Sequence, residues 1–141
     1  MDDFIATEIG QVGSQFDGLS HIGIGDVVLL HPCWRRHRIA DTATFNASES
    51  GIGLEAAAWL IERDIANVWA DTWAIEVLPN PDPTVALPVH MELIPRKGIF
   101  IHENIGMERL NAAGVSEFAY LYSPLPIAGV TGFQGGLLAA F

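Results

Sequence analysis

Apolar positions along this chain come in short runs broken by glycine and proline, and the runs follow two different rhythms. Val27-Val28-Leu29-Leu30 is an unbroken apolar run that follows Gly25-Asp26 and is closed by His31-Pro32. A run this short between such breaks predicts a buried strand rather than a helix. From Leu54 to Arg63 the rhythm changes: Leu54, Ala57, Ala58 and Ile61 recur at helical spacing, and the alanines favour helix. Ala66-Asn67-Val68-Trp69-Ala70 predicts a second strand, with Asp71-Thr72 where that strand gives way to its loop. Pro79-Asn80-Pro81-Asp82-Pro83 is a loop, because each proline lacks a backbone donor and restricts the residue before it. Beyond it, Gly98 to His102 predicts a strand, Met107 to Ala113 a short helix and Phe118 to Tyr122 another strand. Helices alternating with strands place the chain in the α/β class.

Composition narrows the function. The chain has 141 residues, half of them hydrophobic, with no internal repeat, low-complexity tract or linker, so one domain over residues 1–141 is expected. Seventeen acidic against seven basic side chains leave a formal charge of -10. That charge repels phosphate backbones and anionic lipid, which argues against nucleic acid and membranes as partners. The basic cluster Trp34-Arg35-Arg36-His37-Arg38 then reads as a solvated loop after the first strand. The single cysteine, Cys33, has no internal partner for a disulfide, which suits a reducing compartment. No basic-then-apolar leader opens the sequence and no apolar run reaches membrane-spanning length, so a soluble cytoplasmic protein is expected. A mean hydropathy of +0.29 is high for a small acidic domain and predicts apolar surface buried between subunits of a homo-oligomer.

Three places gather side chains able to hold a metal or move a proton: Gln11 to His21, Asp71-Thr72, and His90 to Glu103. Asp17 and His21 are four residues apart, so a turn or helix would put carboxylate and imidazole on one side. His90 and Glu103 flank separate elements and would converge only if the fold brings them together; both types suit zinc or manganese. On spacing alone, ordinary loop residues and the solvent edge of a strand are the favoured readings of these positions.

The segment Gln11-Val12-Gly13-Ser14-Gln15-Phe16-Asp17-Gly18-Leu19-Ser20-His21 resembles the signature of the cyclase-like metal-dependent amidohydrolases, the family that includes kynurenine formamidase and isatin hydrolase. The family pattern is His-x-Gly-Thr-His-x-Asp-x-Pro-x-His. The resemblance continues, in order, through Gly25-Asp26-Val27-Val28-Leu29, Gly51-Ile52-Gly53-Leu54-Glu55-Ala56-Ala57, Ala70-Asp71-Thr72, Pro88-Val89-His90 and Ile101-His102-Glu103-Asn104. It implies a swivelling β/β/α fold, a divalent zinc or manganese site and hydrolysis of a small amide such as an aryl formamide or a cyclic amide. Carried over by position, Gln11, Gln15 and Asp17 fall on ligands of a first metal, His90 and Glu103 on those of a second, and His21 on the acid/base histidine. Asp71 and Thr72 would line the substrate. A metal ion in such a site lowers the pKa of bound water and polarises the amide carbonyl, and a nearby imidazole is suited to relay the proton.

Two departures bear on this expectation. Glutamine stands where the family has histidine at positions 11 and 15, which weakens zinc binding and favours manganese or magnesium, or no metal at all. The resemblance also jumps from His21-Ile22-Gly23-Ile24 to Gly25-Asp26-Val27 across a point where family members carry a long stretch, so the fold is expected to be incomplete relative to the family. Two alternatives to an amidohydrolase therefore stand beside it: a non-catalytic remnant serving as an oligomerising or ligand-binding module, and a metal-dependent lyase or dehydratase.

Overall fold

The structure, a computed structural model, describes residues 26–115, 117–125, 128, 132 and 134–140, and these belong to two compact units. The first, ending at Glu108, holds a three-stranded parallel sheet in the order β1 (Val27–Leu30), β2 (Asn67–Ala70), β3 (Phe100–His102). The register pairs Leu30 with Ala70 and Trp69 with His102. Parallel strands need crossovers, and helices provide them here. A run of short helical turns, Trp34–Arg36, α1 (His37–Ala40) and α2 (Thr42–Ala47), followed by α3 (Leu54–Glu62), leads from β1 to β2, and α4 (Pro88–Lys97) leads from β2 to β3.

Side chains alternate across a strand, so each strand offers every second residue to the same face. Val28, Leu30, Val68, Ala70 and Ile101 pack on that face against Ala57 and Leu60 of α3 and Val89 and Leu93 of α4. Both helices therefore cover one side of the sheet. The central strand is buried throughout, while the edge strands are half-buried. Of the residues at helical spacing, Ala57 reaches the core and Ile61 packs against it, whereas Leu54 and Ala58 are exposed and Leu60 is the other buried side chain of α3.

Three features differ from the sequence expectation. The polar stretch after β1 is helical rather than a loop, because Asp41 caps α2: its carboxylate accepts from the Thr44 backbone N–H at 3.0 Å and from the Thr44 hydroxyl at 2.6 Å. The span 88–97 is a helix that apolar periodicity does not reveal. Pro88 occupies its first turn, where no backbone donor is needed, and Gly98 ends it with φ 69. The third is a strand near the end of the chain, described below.

In the second unit, α5 (Glu108–Ala113) precedes β4 (Ala119–Pro124), which pairs antiparallel with β5 (Gly135–Ala140). A Cβ at Gly135 would stand 2.6 Å from both the Ser123 carbonyl oxygen and the Tyr122 ring, so the pairing requires glycine there. Its glycines and alanines, in Gly-Gly-Leu-Leu-Ala-Ala, hide β5 from propensity alone. Among the described residues no helix is long and apolar enough to cross a membrane.

Candidate functional site

Ligand sites of parallel sheets gather at the carboxyl ends of the strands. Here those ends bring His31, Asp71-Thr72 and Glu103 into one region, and α4, returning towards the sheet, starts there with His90 in its first turn. The N-terminal residue before α4, Leu87, supplies no side-chain cap. A carboxylate from elsewhere does the work instead: Glu76, 1% exposed, accepts from the backbone N–H of Val89 and of His90, each at 3.2 Å. The same carboxylate lies 2.7 Å from His90 Nδ1.

Glu76 is aimed by an unusual turn. Ile75, fully buried, has φ 55, a conformation that a β-branched residue adopts only under strain. Opposite it, Gly51 approaches so closely that a Cβ would meet the Glu76 carbonyl carbon and the Ile75 carbonyl oxygen. The loop before it is held by Glu49, whose carboxylate accepts from the Trp73 N–H at 2.7 Å and the Ala74 N–H at 2.8 Å. Burial pushes the Glu49 carboxyl up to about 7, against the pull of those two N–H groups, and the neighbouring Glu103 and Glu76 charges add to the rise.

Glu103 follows directly on β3. Backbone hydrogen bonds from Asn104 to the Thr72 carbonyl, 2.8 Å, and from Ile105 to the Ala70 carbonyl, 3.0 Å, fix its position beside the end of β2. Its Oε1 is buried and has no hydrogen-bond partner among the described residues, yet it stands 3.2 Å from His90 Nε2. The two atoms are close without being aligned as a hydrogen bond. Glu103 raises the His90 pKa most; burial opposes the rise, and Glu76 adds to it. His102, next in the chain, is driven the other way, to about 4, by burial, and its ring stacks on Trp69 at 6.0 Å.

Asp71 and Thr72 are 1% and 0% exposed. One Asp71 oxygen accepts from the Arg35 N–H at 3.2 Å and lies 3.8 Å from His31 Nε2. The other, and the Thr72 hydroxyl, have no partner among the described residues. Thr72 lines a cavity of about 360 Å³ whose remaining wall is mostly apolar, with Leu29, Leu30, Ile52 and Ile75, and polar only at His31 and Ser50.

No curated protein matches this chain. Residues 17–77 match the family described as Putative cyclase. A crystal structure of a novel cyclase superposes with a TM-score of 0.69 at 28% identity, covering 83% of this chain. The chain is similar to cyclases in sequence over residues 17–77 and in fold. It spans 40% of the length of that solved cyclase.

Of the residues that the resemblance singled out in this cyclase-like chain, Gln11, Gln15, Asp17 and His21 lie outside the described residues. His90 and Glu103, thirteen positions apart in sequence, are brought together, with Nε2 and Oε1 facing each other. Asp71 and Thr72 sit at the same edge of the sheet, Thr72 on the cavity and Asp71 turned to the backbone of Arg35. Sequence reasoning missed Glu76, Glu49 and His31. Glu49 lies in a polar stretch that looks like solvated surface and Glu76 is a lone acid between Ile75 and Val77, and only the fold shows that both carboxylates are buried.

A divalent ion suits the His90–Glu103 pair in one respect. Two donors each about 2.1 Å from one ion lie roughly 3.0 to 3.4 Å apart, the spacing of an unaligned nitrogen and a buried oxygen with no other partner. The described residues contain no group of three or more His, Cys, Asp or Glu placed to hold a metal, so this pair contributes two donors rather than a complete set.

Proposed function

We propose that this cyclase-like chain is a metal-dependent hydrolase of small amides, aryl formamides or cyclic amides, in the swivelling β/β/α arrangement of its family. The observation that carries this reading is the His90–Glu103 pair: a half-buried imidazole nitrogen and a buried carboxylate oxygen 3.2 Å apart at the carboxyl edge of a parallel sheet. His90 and Glu103 would hold one zinc or manganese ion, and Gln11, Gln15 and Asp17 of the signature segment are, by the resemblance, ligands of another. When bound, the ion supplies Lewis acidity, lowering the pKa of water and polarising the amide carbonyl.

The remaining roles belong to the chain. His21 takes a proton from the attacking water and returns it to the departing nitrogen. The cavity beside Thr72 accepts the apolar part of the substrate, since its wall is apolar and its one buried hydroxyl is without a partner among the described residues. A cytoplasmic homo-oligomer completes the proposal; Leu54 and Trp59 of α3 and Met91 and Ile94 of α4 are exposed apolar side chains available for subunit contact.

Elemental analysis of protein purified without chelator, paired with an assay on N-formylkynurenine and on isatin, tests the reading. Near-stoichiometric zinc or manganese that is lost in His90→Ala and Glu103→Ala, with amide cleavage that depends on it, is the expected result. Protein that takes up no added metal and cleaves no amide overturns the hydrolase. Metal-dependent loss of water from a hydroxy acid, without amide cleavage, would point to the lyase chemistry instead.

A further inference from the structure

We infer that Glu76 is a positioning residue for His90: it fixes the imidazole in the form with hydrogen on Nδ1 and thereby leaves the lone pair on Nε2, the ring atom beside Glu103. The Glu76 carboxylate already accepts two backbone N–H groups, from Val89 and His90, and its Oε1 stands 2.7 Å from His90 Nδ1. Both Glu76 oxygens already act as acceptors for backbone N–H groups, so the hydrogen in the ring contact belongs to Nδ1. A neutral ring then carries a lone pair on Nε2, and Nε2 stands 3.2 Å from an oxygen that is also an acceptor.

Two acceptors at 3.2 Å repel unless a cation lies between them, either a second proton on the ring or a metal ion. Glu76 thus makes the Nε2–Glu103 gap a place that demands positive charge. Its burial sharpens the effect, because at 1% exposure no water competes for the carboxylate. The geometry is also rigid. Glu76 is tied at once to the first turn of α4 and to the imidazole of that turn, and it leaves the strained Ile75 turn seated on Gly51. The ring cannot rotate without breaking a contact to the same group that caps its helix.

The metal half of this inference rests on the proposed hydrolase reading, whereas the tautomer half does not. Nitrogen-detected NMR of histidine-labelled, metal-free protein, at a pH where the His90 ring is neutral, reads the tautomer directly. Hydrogen on Nδ1 in the parent protein, and loss of that preference in Glu76→Gln, is expected. Glu103→Gln should leave the tautomer as it is. Manganese titration of the parent and Glu76→Gln should then show affinity weakened about 10- to 100-fold in the variant. A parent protein with hydrogen on Nε2 overturns the inference without recourse to any variant. So does a folded Glu76→Gln that keeps both the Nδ1 hydrogen and the parent's affinity. If the parent binds no manganese or zinc, the hydrolase reading fails, and the tautomer measurement still decides what Glu76 does.

Discussion

Gly51 and Glu76 touch through their backbones: a Cβ on Gly51 would collide with the Glu76 carbonyl carbon and lie 2.6 Å from its oxygen. No side-chain rotation relieves a contact between main chains. Gly51→Ala must therefore push the Ile75–Glu76 turn away from its place. We expect a loss of about 3 kcal/mol in urea unfolding, at the upper end of overpacking costs. The same variant should weaken metal binding, because Glu76 moves with the turn. A change of less than about 0.5 kcal/mol would show that the turn is not seated on Gly51.

Glu49 gives the fold a pH dependence of definite sign. Its carboxyl is raised by burial from the ordinary 4.5 to about 7. Between those values the unfolded chain has released the proton and the folded chain retains it, so stability falls as pH rises through this window. The contribution is full below pH 4.5 and lost above 7, a change on the order of 3 kcal/mol. Glu49→Gln should remove it. Denaturant melts of both proteins at several pH values check this, and a stability difference that does not vary with pH between 4.5 and 7 would contradict it.

Thr72 has a buried hydroxyl with no partner among the described residues and no exposure. Replacing an unpaired buried hydroxyl with a methyl group of the same shape is neutral to stabilising, so Thr72→Val is expected to hold or raise stability by up to about 1 kcal/mol. If that hydroxyl meets the substrate, the same change raises KM in a folded protein. Thermal melts and steady-state kinetics separate the two effects. A destabilisation beyond about 1 kcal/mol would show that the hydroxyl serves the fold.

Leu60 is 3% exposed and sits between α3 and the sheet. Leu60→Ala removes its contacts in a core this small and is expected to cost about 3 kcal/mol in urea unfolding. Met91→Glu with Ile94→Glu, on the exposed side of α4, should leave the fold intact and lower the assembly state seen by light scattering. An unchanged mass would place the subunit contact elsewhere.

The chain's own pattern of residues determined the elements with strong local signals. Val27 to Leu30 is apolar enough to be a strand wherever it lies, and Leu54 to Ile61 carries its helical face in its spacing. The family resemblance marked His90, Glu103, Asp71 and Thr72, and the sheet gathers all four at one edge. The helix at 88–97 was not legible, because its start is fixed from outside by Glu76, twelve residues before Pro88, and not by a cap of its own. Glu76 and Glu49 were equally hidden. A lone carboxylate has the same sequence appearance whether water or protein surrounds it, and its burial is a property of what packs over it. Local sequence thus determined which segments become strands and helices, since propensity and periodicity act over a few residues. Only the tertiary structure decided that Glu76, His90 and Glu103 meet, because charge, burial and hydrogen-bond direction depend on distances between segments that the chain itself does not set.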